Sequence, residues 1–286
     1  MVGDSALIKI DSEAAKVLIE KIADAIGGYF KPFQIKRVAK AEAEAEIIRT
    51  EAQIKCDELQ RRAAARFIAE EAKKQDNIEN ITWKAIPLLS ESSTPQKMED
   101  DWITNFFDKC RIISDDEMQI LWSKVLAGEA NSPGSFSKRT VNSLASLDKS
   151  DAQLFTSLCG FTWEIGNMIP LILDHQASIY VDHGVSFITL SHLDDIGLIS
   201  FEPLAGFRST DLPQAIVIKY YGTPLYIKLK KPANNELEIG HTIFTSTGHQ
   251  LARICGAKPI DGFLDYVIER WTKEGLTVSA PLQRKK

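Results

Sequence analysis

The stretch FQIKRVAKAEAEAEIIRTEAQIKCDELQRRAAARFIAEEAKK, Phe33 to Lys74, decides how this chain is built. It contains no Gly and no Pro. Ala, Glu, Lys, Arg and Gln dominate it, the residues that lose least on entering a helix. At 1.5 Å per residue the spacing predicts a helix about 63 Å long, more than an ordinary globular helix. Its apolar positions fall in rows. Ala41, Ala52 and Ala63 make one, Ala45, Cys56 and Phe67 a second, and Ile48 and Leu59 a third that breaks at Glu70. Each row repeats every eleven residues, a period that favours a nearly straight or slightly right-handed supercoil. We therefore expect an oligomer interface of Ala41, Ala45, Ile48, Ala52, Leu59, Ala63 and Phe67. The alternative is that the stripe folds back on the same chain.

Around that helix the composition is that of a globular protein, 44% apolar and 26% charged over 286 residues, enough for two modest domains. The formal net charge of -5 gives no global attraction to nucleic acid or anionic lipid. The four cysteines, Cys56, Cys110, Cys159 and Cys255, are far apart and form no C-x-x-C pair. Reduced thiols of a cytosolic protein are the expectation. The opening MVGDSALIKI lacks the charged flank and apolar run of a signal peptide, and no run reaches bilayer length, so a cytoplasmic location is expected.

The flanking segments predict mainly α structure with a C-terminal α+β winged-helix-like domain. Four segments follow: residues 1–30, an amphipathic helix and hinge; 31–89, the long helix; 98–165, a helical domain; and 166–275, the winged-helix-like domain. Asp11 or Ser12 caps a helix to Ile26 that ends at Gly27-Gly28. Residues 12–33 offer a membrane-surface contact, but no basic face accompanies the apolar one, and packing on the protein itself is preferred. Asn77 and Asn80 suggest a bend, Pro87 a stop, and SESSTPQ at 90–96 a linker. Ser114 with Glu117 forms a capping box ahead of Met118, Leu121, Trp122, Val125 and Leu126. Further on, a helix in 186–199 is closed by Gly197. A hairpin of 215–221 and 225–230 turns at Gly222-Thr223-Pro224, and Thr245 or Ser246 caps another helix.

Catalytic signatures are missing from the sequence. Asp174-His175 and Asp182-His183 lack metal-site spacing, and no P-loop, G-x-G-x-x-G or G-x-S-x-G motif occurs. The expectation is a non-enzyme without catalytic residues, cofactor or metal. Lys219, Lys228, Lys230 and Lys231 form a candidate basic patch on the hairpin. As the wing of a winged helix they would face DNA, with the helix around His192 in a groove. Asp194 and Asp195 on that helix oppose phosphates, so nucleic acid is disfavoured and edge-guarding lysines are the simpler reading. The stretch Trp122, Glu129, Ser137, Arg139 is a candidate motif. Trp122 is read as a core anchor, and Glu129 and Arg139 as a pair across the Pro133-Gly134 turn. The alternative is an anion pocket of Arg139 with the Ser135 and Ser137 hydroxyls.

Three stretches carry a resemblance: PFQIKRVAKAEAEAE with RRAAARFIAEEAKKQDNIENI; LWSKVLAGEANSPGSFSKRTVNSLASLDKSDAQLF; and DDIGLI followed by YYG and FTSTGHQLARI. Together they resemble a bacterial family, domain of unknown function 2806, over about residues 26 to 256. The matching residues are Trp122, Leu126, Gly128, Glu129, Pro133, Gly134, Ser137, Arg139, Gly197, Gly222, Thr245 and Gly248. The resemblance implies no catalytic residue. In layout the chain is also similar to abortive-infection alpha proteins of phage defence, although Phe244 stands where those more often have Leu. The expected function is a non-enzymatic, self-associating cytoplasmic sensor or effector in bacterial phage defence or stress, a homo-oligomer with room for a protein partner. The alternative is a DNA-binding regulator acting through the C-terminal domain.

Overall fold

A computed structural model of the protein describes residues 12–27 and 58–279. The chain divides into two compact units between Ala145 and Ser146, earlier than the expected boundary between 165 and 166.

The first unit is helical: α1 Glu13–Ile26, α2 Glu58–Ala85, α3 Asp100–Cys110, α4 Asp116–Asn131 and α5 Lys138–Ala145. Helix α1 starts where the Ser12 side chain accepts from the Ala15 N–H and stops at Gly27, whose φ of 67° suits glycine. Ala15, Leu18 and Ile22 recur at helical spacing and are fully buried, with α3 as their neighbour. Leu18 and Ile22 of the apolar stripe are thus covered by the chain itself, Val17, Ile19 and Ile26 are half-buried, and residues 28–33 lie outside the described residues. Ion pairing of Lys21 with Asp100 fastens the helix from its polar side.

Helix α2 departs from expectation at Asn77 and Asn80, where it runs on unbroken to Ala85. Asn77 donates from Nδ2 to the Arg111 carbonyl at 2.8 Å and accepts from Gln119 Nε2 at 3.3 Å. Those tertiary bonds offset the weak helix propensity of Asn. The part of the predicted long helix from Phe33 to Asp57 lies outside the described residues. The expected linker at 90–96 is a stitched connection inside this unit. Asn131 accepts from the Ser90 N–H and donates to the Leu88 carbonyl, and Thr94 N–H bonds the Ala130 carbonyl. Asp115, rather than Ser114, caps α4 by accepting from the Met118 N–H; the Ser114 hydroxyl accepts from Asn77 instead. Trp102, Phe106 and Trp122 lie ring to ring at 5.1 Å centroid spacings in the core. Burial of side chains this large contributes about 1.5–3 kcal/mol each.

The second unit is mixed α+β with antiparallel sheets. It runs α6 Lys149–Cys159, β1 Thr162–Ile165, β2 Asn167–Pro170, α7 Ser178–Val181, α8 Phe187–Asp195, β3 Ile199–Phe201, β4 Phe207–Leu212, β5 Ala215–Tyr220, β6 Thr223–Lys228, β7 Asn235–Gly240, β8 Thr242–Phe244, α9 Ser246–Ala252, α10 Phe263–Lys273 and β9 Thr277–Ser279. The main sheet has the order β2-β1-β5-β6-β9; β3 pairs with β8, and β4 with β7. One face of the main sheet is the core: Trp163 stacks on Tyr220 at 5.0 Å and meets Trp271 edge-on at 5.9 Å. The hairpin turn is Tyr221-Gly222, not Gly222-Thr223-Pro224, because Tyr220 pairs with Thr223. Both turn residues have positive φ, 45° and 83°, as the two-residue turn that matches strand twist demands.

The T-x-x-G segment closing this unit has a steric reason. Thr245 caps α9, accepting from the Gly248 N–H at 3.0 Å while donating to the Gly197 carbonyl at 2.7 Å. A Cβ on Gly248 would lie 1.8 Å from the Leu198 carbonyl oxygen, so only glycine lets α9 approach β3 this closely.

Candidate functional site

The Trp122 to Arg139 motif proves to be a folded turn whose polar groups are used internally. Trp122 is fully buried among aromatic rings, as read from its spacing. Glu129 does not pair with Arg139. Its carboxylate, only 3% exposed, accepts from the Gly134 N–H at 2.6 Å and the Phe136 N–H at 2.8 Å. Burial pushes its carboxyl above the ordinary value of 4.5, and the N–H donors of Gly134, Phe136 and Ser135 oppose that rise. Ser137 caps α5 by accepting from the Thr140 N–H at 3.1 Å, and the Ser135 hydroxyl donates to the Ser132 carbonyl. Both hydroxyls of the imagined anion pocket are therefore engaged locally. Arg139 is exposed and closes no ion pair among the described residues. Phe136 packs so tightly on α4 that a Cβ at Gly128 would meet its ring at 2.5 Å.

Of the expected oligomer stripe, Ala41, Ala45, Ile48 and Ala52 lie outside the described residues. Leu59 and Phe67 are each 63% exposed, and Ala63 between them is exposed as well. Farther along the same helix Asn77, Ile78, Ile81 and Ala85 are buried.

Lys219 pairs with Pro224 and Lys228 with Ala215, so they share the open face of the main sheet but sit about 13 Å apart along the strands. Lys230 and Lys231 follow in the connection to β7 and are exposed. The hairpin carrying them is not the strand pair that follows α8, since β3 pairs with β8 instead. Among the described residues no three metal-ligating side chains come together. His175 packs beside Phe187, Phe201 and His241. Burial raises the Cys110 and Cys159 thiols well above the ordinary range, and a hydrogen bond with the Cys255 thiol adds to the effect at Cys159.

On the open side of β1 lies a groove that spacing did not disclose. It is about 300 Å³, lined by Cys159, Thr162, Glu164, Met168, Tyr221 and Arg253, and it is completed by Ala252, Gly256 and Ala257. Five separate segments meet there. Tyr221, held in its left-handed conformation, donates its hydroxyl to the Cys159 carbonyl at 2.9 Å. Burial, with Cys159 and Cys255 beside it, pushes that hydroxyl up, so it stays a donor. Thr162 is 6% exposed and its hydroxyl has no hydrogen-bond partner. Glu164 and Arg253 are exposed and close no ion pair among the described residues.

The family model described as Protein of unknown function (DUF2806) matches residues 61–268. The chain belongs to this family. The match to this DUF2806 protein begins within α2 and ends within α10, so it takes in the Glu129 turn, the T-x-x-G cap and the groove alike. No curated protein and no solved structure matches the chain significantly. Among the described residues no helix is long and apolar enough to cross a membrane.

Proposed function

We propose that the chain is a non-enzymatic, self-associating cytoplasmic protein that acts as a sensor or effector in bacterial phage defence or stress. The observation that carries the self-association is the exposure of Phe67, which with Ala63 and Leu59 forms a row at four-residue spacing across the three eleven-residue rows, while later turns of the same helix are buried. A helix gains stability mainly by covering its apolar face. Burying a ring such as that of Phe67 contributes about 1.5–3 kcal/mol. A second copy of the row, with small Ala63 allowing close approach, is the cover this reading assigns. In the second unit α7 and α8 lead into β3, which pairs with the distant β8 ahead of α9, and this partial likeness supports a winged-helix-like module with the β3 and β8 pair in place of a wing hairpin. Its exposed helix carries Ile188, Asp194 and Asp195 rather than a basic row, which suits a protein surface better than a phosphate backbone. The DNA-binding regulator stays as second reading because Lys219, Tyr226 and Lys228 share the open sheet face.

Light scattering on the purified chain tests the assembly. More than a monomer is expected, shifting downward in Leu59→Asp with Phe67→Asp. A monodisperse monomer at tens of micromolar ends the proposal.

A further inference from the structure

The groove beside β1 holds two opposite charges and a buried hydroxyl that the fold itself does not use. Leaving a hydroxyl buried without a partner costs about 1–3 kcal/mol, and the Thr162 hydroxyl is such a group. Arg253 follows the last residue of α9 and lines the groove, and Glu164 lines it from β1. Lys219 is the cross-strand neighbour of Glu164, yet no ion pair joins them. Met168, Ala252 and Ala257 give the groove an apolar lining, and Tyr221 walls it. The volume of about 300 Å³ is at the small end of ligand sites.

We propose that this groove binds a free α-amino acid. Arg253 takes its carboxylate in a two-pronged contact, Glu164 its ammonium, and Thr162 Oγ1 a hydrogen bond from or to the head group. Met168, Ala252 and Ala257 face its side chain. The charge layout selects this class. A phosphate-rich ligand would set several negative charges against Glu164, and a simple cation would meet Arg253. A zwitterion with its two charges a few bonds apart answers both, by charge-assisted bonds of the stronger kind. The proposal names a ligand for the sensor reading and rests on that reading only for the biological use of binding.

Calorimetry on the full chain, with each common free amino acid as titrant, tests it. At least one amino acid is expected to saturate. Its carboxamide and its N-acetyl derivative should each bind about tenfold more weakly or worse, the loss of one charged hydrogen bond. Arg253→Gln and Glu164→Gln should reproduce those losses with melting temperatures unchanged. The proposal is overturned if no free amino acid binds at millimolar concentration, or if both variants bind as the parent does. It is equally overturned if the N-acetyl derivative binds as well as the parent acid, which would mark a plain anion site. Light scattering on the same samples keeps the readings apart, since assembly can persist without binding and binding without assembly.

Discussion

Glu129 in the first unit and Glu164 in the second each stand close to a tight turn, and they meet opposite surroundings. Glu129 is buried, with both carboxylate oxygens accepting backbone N–H groups. Glu164 is exposed in a strand, and its carboxylate closes no ion pair among the described residues. The same contrast holds for the hydroxyls: Ser135 and Ser137 are bonded to their own turn, while Thr162 is buried without a partner. A polar group with every bond made within the chain holds the fold. One left incomplete beside a groove is available to something else. In the motif that looked richest in chemistry, Glu129, Ser135 and Ser137 are thus bonded to the turn itself, while the strand that looked plain lines the groove.

The largest effect that would test the contrast is Glu129→Ala. It strips the acceptor from two N–H groups in a buried turn, and we expect a loss of roughly 2–4 kcal/mol, read as a lower urea midpoint at unchanged slope. A loss under about 0.5 kcal/mol, the range of ordinary surface changes, would erase the distinction from Glu164.

A smaller effect is the pH dependence that Glu129 imposes. Its carboxyl titrates higher in the folded chain than in the unfolded one. The folded state therefore holds that proton to higher pH. The stability this contributes is fully present below the unfolded value and is lost as pH rises through the folded one. Urea melts from mildly acidic to neutral pH should show that decline in the parent and a flatter course in Glu129→Gln.

The smallest expected effect is Thr162→Val, which removes the orphan hydroxyl while keeping the shape. Stability should stay level or rise by up to about 1 kcal/mol. A clear destabilisation would mean that the hydroxyl has a structural partner after all.

The helices were legible where a cap and a run of apolar residues at helical spacing agree, as at Ser12 with Leu18 and Ile22, or Thr245 ahead of α9. Asn77 misled because its local preference points to a bend, while its three side-chain bonds to residues far along the chain hold it in helix. Strand β1, TWEI, was read as part of the helical domain: four residues carry too little alternation to stand out, and Trp163 is buried as it would be in a helix. The three-residue β9 was missed for the same reason, and the strand from Phe207 to Leu212, FRSTDL, because its four central residues are all polar. The groove was invisible because Cys159, Thr162, Met168, Tyr221 and Arg253 come from segments that only the finished sheet brings together. One local clue existed: Tyr221 before Gly222 allows the tight two-residue turn that aims the tyrosine back at Cys159.

The unbroken course of α2 has a mechanical meaning. Residues 58–73 are almost wholly exposed, and from Asn77 the helix enters the core of the first unit. The helix runs about 42 Å at 1.5 Å per residue, with no Gly or Pro between its two halves to act as a joint. Asn77, bonded to Arg111, Ser114 and Gln119, sits where the rod leaves the core, like the fulcrum of a lever. A tilt applied to the outer arm is opposed first at Asn77 and then by Ile78, Ile81 and Ala85. Whatever grips the outer arm therefore pulls directly on the packing of the unit that anchors it.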